Sequence, residues 1–149
     1  MNEKQAEAKF NLYTKNIIKI VGDQALYSNQ VDELAKKYFG NRFHGTYPSD
    51  KLPNLTATRN LAIINVDSSK QPGSHWMAIC YCPTTKKTLV FDSFGRKTQI
   101  LVPSIFKKYQ TVDTDYDHNQ LIRENSCGQK SIAFLRIFHN FGWNTAKLI

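Results

Sequence analysis

Acidic residues are scarce in this chain of 149 residues: twelve Asp and Glu stand against twenty Lys and Arg, a formal charge of +8. The imbalance points to polyanions as partners, although charge alone names no ligand. Long apolar runs are absent. No stretch approaches the roughly 20 residues of a membrane span, and the first ten residues are polar, without the apolar core of a signal peptide. The expectation is a soluble protein of intracellular origin. Cysteine is sparse too, with Cys80, Cys82 and Cys127 making an odd number. A domain of this size does not need staples, so they read as free thiols in a reducing compartment, one of them available as a nucleophile. Repeats, low-complexity segments and internal linkers are also missing. Against these absences, 41% hydrophobic and 12% aromatic residues are enough to fill a sizeable core, which excludes disorder as the main state. One domain over residues 1–149 is expected.

Along the chain, Ala6, Phe10, Tyr13, Ile17 and Ile20 fall at helical spacing and predict an N-terminal helix within residues 1–22, ended by Gly22. Val31, Leu34, Ala35 and Tyr38 predict a second, stopped by Gly40. Residues 41–60, with Gly45, Pro48, Asp50, Pro53 and Asn54, read as one long loop of the kind that carries function. Three strands follow at Leu61–Val66, Trp76–Cys82 and Thr88–Phe91, the last two joined by a hairpin turn at Pro83–Lys86. A short helix is expected from Ser104 to Tyr109, a strand within Val112–Asn119, and a helix from Cys127 to Asn140. Helices outside a mostly antiparallel central sheet make the fold class α+β, with the chemistry placed in residues 61–140.

Cys127 lies at the start of the last helix, behind Asn125 and Ser126, either of which is a suitable cap. Helix N–H groups and the positive end of the dipole favour a thiolate there, and an adjacent imidazolium lowers the thiol pKa further. His75 opens one strand of the hairpin and Asp92 closes the other, seventeen residues on. An antiparallel hairpin turning at Pro83–Lys86 brings both to its open end.

The order His, Asp, Cys, with Gln120 seven residues before the cysteine, resembles that of the adenovirus-type maturation proteases, relatives of the ubiquitin-like-specific proteases. The resemblance rests on Gly73-Ser74-His75-Trp76-Met77-Ala78, on Phe91-Asp92-Ser93-Phe94-Gly95 and on Asn125-Ser126-Cys127-Gly128. Gly45-Thr46-Tyr47 and Leu61–Asn65 fit the adenovirus branch as well. It covers roughly Tyr38 to Phe138 and leaves the first helix unaccounted for. It implies a papain-like, circularly permuted cysteine protease fold in which Cys127 attacks a peptide carbonyl, His75 moves the proton and Asp92 orients His75. Gln120 and the Cys127 N–H donate to the oxyanion. Trp76, Gly45 and Tyr47 line the substrate cleft.

Cleavage after small residues, at Gly-Gly or Gly-X sites of viral structural proteins, is what the resemblance further implies. It also implies activation by DNA, by a peptide or by both, with no cofactor needed for the chemistry and no metal. A monomer located in the virion and the infected cell completes the expectation. The chain departs from the adenovirus branch in two respects: Asp92 stands where Glu is common, and only 22 residues follow Cys127. The N-terminal helix is a candidate replacement for the missing C-terminal part. Two rival readings use the same residues. One is a protease for ubiquitin-like modifiers, the other a catalytically silent DNA-binding virion protein.

Other residues read more plainly. Cys80 and Cys82 sit two apart on a strand and are expected to pack into the core. Asp113, Asp115, Asp117 and Glu124 imitate a calcium loop, but His118 occupies the position where such a loop needs glycine, so calcium is not expected. His44, His118 and His139 read as ordinary polar residues. Arg96, Lys97, Lys107 and Lys108 lie in a stretch without any acidic residue between Asp92 and Asp113, and form a candidate sequence-independent DNA contact.

Overall fold

The computed structural model describes residues 1–67, 75–114 and 125–149. Helix α1 spans Glu3–Val21 and begins with a reciprocal cap: Asn2 Oδ1 accepts from the Gln5 N–H at 2.8 Å, and Gln5 Oε1 accepts from the Asn2 N–H at 2.9 Å. It ends at Gly22, whose φ of 85° suits a residue without a Cβ. Helix α2, Ser28–Phe39, follows, then a single 3₁₀ turn at Gly40–Arg42. The strands are β1 Phe43–Pro48, β2 Leu61–Asn65, β3 Trp76–Cys82, β4 Lys87–Phe91 and β5 Thr111–Asp113. Short helices α3, Thr98–Leu101, and α4, Pro103–Lys108, connect β4 to β5, while α5, Cys127–Phe141, and α6, Trp143–Lys147, close the described chain.

The five strands form one sheet in the order β1-β2-β3-β4-β5. Pairs β2–β3 and β3–β4 are antiparallel, but β1–β2 and β4–β5 are parallel. The sheet is therefore mixed, which corrects the expected mostly antiparallel arrangement. A parallel pair needs a crossover connection, and the chain has two: residues 49–60 between β1 and β2, and α3–α4 between β4 and β5. Both carry apolar residues, Leu52 and Leu55 on one and Val102 and Ile105 on the other, to the same face of the sheet.

Strand β1 also corrects the reading of 41–60 as loop throughout. Its His, Gly, Thr and Pro content hides the alternation, and the register slips between Phe43 and Gly45. A bulge and a terminal proline are tolerated on an edge strand, where the outer backbone groups need no ladder partner. Strand β5 covers Thr111–Asp113, the start of the expected strand; residues 115–119 of that expectation lie outside the described residues.

Burial on both faces explains why β2 reads as an unbroken apolar run rather than an alternation. On one face Leu61, Ile63, Ala78, Leu89 and Phe91 pack against α1, α2 and α5; on the other, Ala62, Ile64, Met77, Ile79 and Val90 meet the crossovers. Phe91 stacks on Phe134 of α5 at 4.7 Å between ring centroids and meets Phe10 of α1 edge-on at 5.6 Å. These contacts fix the end of β4 against the helix that begins at Cys127, so the core sets the distance between residues that lie far apart in sequence.

Candidate active site

The hairpin register runs from Cys82↔Lys87 to Ala78↔Phe91, and its extension places His75 across from Phe94. Their rings stack at 4.9 Å. Next to Phe91, Asp92 turns its carboxylate to the imidazole: His75 Nε2 and Asp92 Oδ1 are 2.5 Å apart. Since Nε2 is taken by Asp92, Nδ1 is the nitrogen left for Cys127, whose thiol interacts electrostatically with the ring. All three groups are largely withdrawn from water, at 7%, 4% and 7% exposure for His75, Asp92 and Cys127.

Burial by itself raises the pKa of a carboxyl or thiol and lowers that of imidazole. Here the partners outweigh it. Burial pushes Cys127 up, but the His75 ring and the N–H groups of Trp76 and Gly128 bring the thiol below its usual value. The Trp76 N–H lies 3.4 Å from Cys127 Sγ. For Asp92, burial is likewise overcome, by His75 and Arg96, and the carboxyl falls to about 2. His75 is raised, because bonding to Asp92 and Cys127 outweighs its desolvation. Both shifts run in the direction of a thiolate–imidazolium pair beside a carboxylate.

Ser126 occupies the N-cap position of α5, yet its side chain makes no cap hydrogen bond. Backbone N–H groups of the first turn are consequently free to face the sulfur, which is the more useful arrangement for a thiolate. Trp76 is half-buried beside it; its indole N–H donates to the Leu26 carbonyl at 3.1 Å, and its own carbonyl accepts from Ser131 at 3.3 Å. Gly128 gives the indole room, since a Cβ there would meet Trp76 Cδ1 at 3.3 Å. Gln129, fully buried, donates to the carbonyls of Gly22 at 2.9 Å and Gln24 at 2.8 Å, tying the α1–α2 connection to the same helix turn.

The remaining sequence-predicted residues are placed as follows. Gln120, with Gly73 and Ser74, lies outside the described residues. Gly45 and Tyr47 lie on β1; Tyr47 packs on the opposite face of the sheet from Trp76, and its hydroxyl meets His44 Nδ1 at 2.6 Å. Arg96 is not a free basic group: its Nε and backbone N–H donate to Asp92 Oδ2 at 2.9 and 3.0 Å. Lys97, Lys107 and Lys108 are exposed, the last two in the final turn of α4, where a cation suits the helix dipole. Cys80 is fully buried as expected, while Cys82 is only partly so. His139 Nδ1 lies 2.7 Å from an Arg42 nitrogen. Asp113 accepts a bond from the Thr98 hydroxyl, and the other members of the calcium-like pattern lie outside the described residues. Among the described residues no cluster of three metal-ligating side chains occurs.

Sequence reasoning missed the roles of Phe94, Arg96 and Gln129. For the first two a signal existed, since both lie within four residues of Asp92 in a turn that must fold back on the strand end. Gln129 gave none, because a polar residue in a first helical turn is ordinarily solvated.

A buried thiol, imidazole and carboxylate lie in series at the open end of an α+β sheet. Residues 43–148 match the adenovirus endoprotease family, and the chain belongs to it. A similar curated protein is the protease of ovine adenovirus D serotype 7 (isolate OAV287), 29% identical over 124 residues, which cover 73% of this chain and 58% of that protein. The chain thus spans less than two thirds of that relative's length. Helices α1 and α2 both precede the family match, so the clasp made by Gln129 and Trp76 joins the family's part of the chain to a segment outside it.

Proposed function

We propose that the chain is a cysteine endopeptidase that matures viral structural proteins, acting in the virion or the infected cell. The observation that carries this reading is the placement of His75 between Asp92 and Cys127. In the proposed mechanism the Cys127 thiolate attacks the scissile carbonyl, and the His75 imidazolium gives its proton to the leaving amine. Water, deprotonated by His75, then hydrolyses the thioester. Asp92 keeps the ring in the orientation that presents Nδ1 to sulfur. The Cys127 N–H and Gln120 are proposed as the oxyanion donors; loss of one such donor typically costs about 10²–10³ in rate.

Cleavage after small residues, at Gly-Gly or Gly-X sites, is the proposed specificity, with Trp76 forming part of the cleft wall beside the sulfur. No cofactor is required for these steps. Regulation by a peptide or by DNA is proposed separately, the DNA contact resting on Arg96, Lys97, Lys107, Lys108 and the +8 charge. Its signature is affinity that falls steeply with salt and ignores sequence.

The test is cleavage of a peptide library rich in Gly-Gly and Gly-X sites by wild type and Cys127→Ala, with and without duplex DNA. Cutting by wild type alone, after glycine, is expected. A library cut equally by both proteins overturns the assignment of Cys127. A motif that requires a folded modifier ahead of Gly-Gly replaces capsid maturation with modifier processing. DNA binding without cutting under any condition favours the silent virion protein.

A further inference from the structure

We propose that Arg96 is a positioning residue for the triad: its guanidinium, braced on Phe94, holds one oxygen of Asp92 so that the other faces His75. This deepens the cysteine protease reading given above and rests on it. The division of the carboxylate is explicit in the geometry. Oδ1 meets His75 Nε2 at 2.5 Å, while Oδ2 accepts from Arg96 Nε at 2.9 Å and from the Arg96 N–H at 3.0 Å; a longer contact of 3.4 Å runs from the guanidinium to Oδ1. Phe94 touches both sides of this arrangement, its ring 4.9 Å from the His75 ring and 4.8 Å from the Arg96 guanidinium carbon. A three-residue turn, Ser93-Phe94-Gly95, separates Asp92 from Arg96 and closes with a 2.9 Å bond from the Gly95 N–H to the Asp92 carbonyl.

Asp92 follows the last residue of β4 and has a single rotatable arm, so its carboxylate could otherwise turn about χ2 and present either oxygen or neither. The planar fork of arginine suits this restraint, because it fixes direction as well as charge, which lysine does not. As an ion pair, a half-exposed arginine contributes little stability by itself. The consequence lies in the geometry of the ring: a small misplacement of a reacting group can cost about a hundredfold in rate. The charged groups facing Asp92 are His75 and Arg96; Cys127 faces the far side of the ring, and Asp113 on β5 is held by Thr98.

Arg96→Gln and Arg96→Lys test the proposal. The turn should survive both, since the Gly95 and Arg96 N–H bonds do not involve the side chain. Arg96→Gln is expected to lower kcat by between about 10- and 100-fold with KM little changed. It should also move the acid limb of the pH profile upward, because Asp92 and Cys127 both lose a condition that favours their ionised forms. Arg96→Lys should recover part of the rate. A second readout needs no turnover: the pH dependence of Cys127 alkylation by iodoacetamide, followed on its own peptide by mass spectrometry, should shift upward in Arg96→Gln. Wild-type kcat and an unmoved alkylation profile in Arg96→Gln overturn the proposal, as does a rise in KM alone, which would make Arg96 a substrate contact. Equal losses in both variants with a lowered thermal midpoint also overturn it, in favour of a purely structural role. Should wild-type Cys127 alkylate like an ordinary thiol, the protease reading fails first; should it alkylate as a thiolate while Arg96→Gln does the same, only the role of Arg96 falls.

Discussion

Two buried thiols, one on a strand and one at the start of a helix, are shifted in opposite directions from the ordinary thiol value. Cys80, in the middle of β3, has no exposed surface and only the Leu89 carbonyl, 3.8 Å away, as a weak acceptor for its S–H. Burial pushes it well above the usual thiol value, and the neighbouring Cys82 adds to the effect. Cys127, at the start of α5, is nearly as buried, yet His75 and two backbone N–H groups bring it below that value. Burial therefore does not decide reactivity; what the sulfur faces decides it. Donors aimed at a buried anion are stronger than they would be in water, so the desolvation that silences Cys80 sharpens Cys127.

The comparison breaks most completely in His75→Ala. Without the imidazole, Cys127 keeps its burial and loses its principal partner, so its thiol should move toward the behaviour of Cys80. Peptide cleavage should fall by at least about 10³-fold, with the fold retained by circular dichroism. Phe134→Ala acts one layer deeper, by removing the ring that stacks on Phe91 and ties β4 to α5. Equilibrium urea unfolding should show a loss of about 3–5 kcal/mol. Gly128→Ala is finer. A Cβ would meet Trp76, Leu26 and Val31 side-chain atoms at 3.3–3.4 Å, and crowding of that kind costs about 1–3 kcal/mol against a gain of up to about 1 kcal/mol in helix propensity. A net loss of about 1 kcal/mol, with a measurable change in Trp76 fluorescence, is expected. Cys80→Ala should do least, leaving cleavage at the wild-type rate in a peptide assay, since its sulfur serves packing alone.

Much of this frame was legible in the chain. Helices α1, α2 and α5 follow from apolar spacing that ends at a glycine, and the meeting of His75 with Asp92 follows from the hairpin, because a short turn at Pro83–Lys86 fixes which ends come together. The parallel edges were not legible. Pairing of β1 with β2 and of β5 with β4 is decided by crossovers that cover one face, a tertiary fact, and β1 hides its strand character behind Gly45 and Pro48. The bond of Arg96 to Asp92 was hidden for a related reason: counted with its lysine neighbours it is one more positive charge, and only the turn at Ser93–Gly95 shows that it folds back on Asp92. The cap of α5 was also misread, since Ser126 has a suitable side chain but does not use it. Composition describes which groups are available; the turn geometry selects their partners.

The most direct test of the central claim, that His75 and Asp92 hold Cys127 as a thiolate, is an ultraviolet pH titration. The thiolate absorbance of wild type minus that of Cys127→Ala isolates this sulfur from Cys80 and Cys82. The account predicts that Cys127 ionises below the ordinary thiol value of 9.0, and that the signal disappears on acidification. On the acid side, stability should follow Asp92: its folded carboxyl is lowered from 3.8 to about 2, so its contribution is complete above about 4 and is lost as pH falls through about 2. A Cys127 that ionises only at or above the ordinary thiol value, with no change on His75→Ala, would contradict the account.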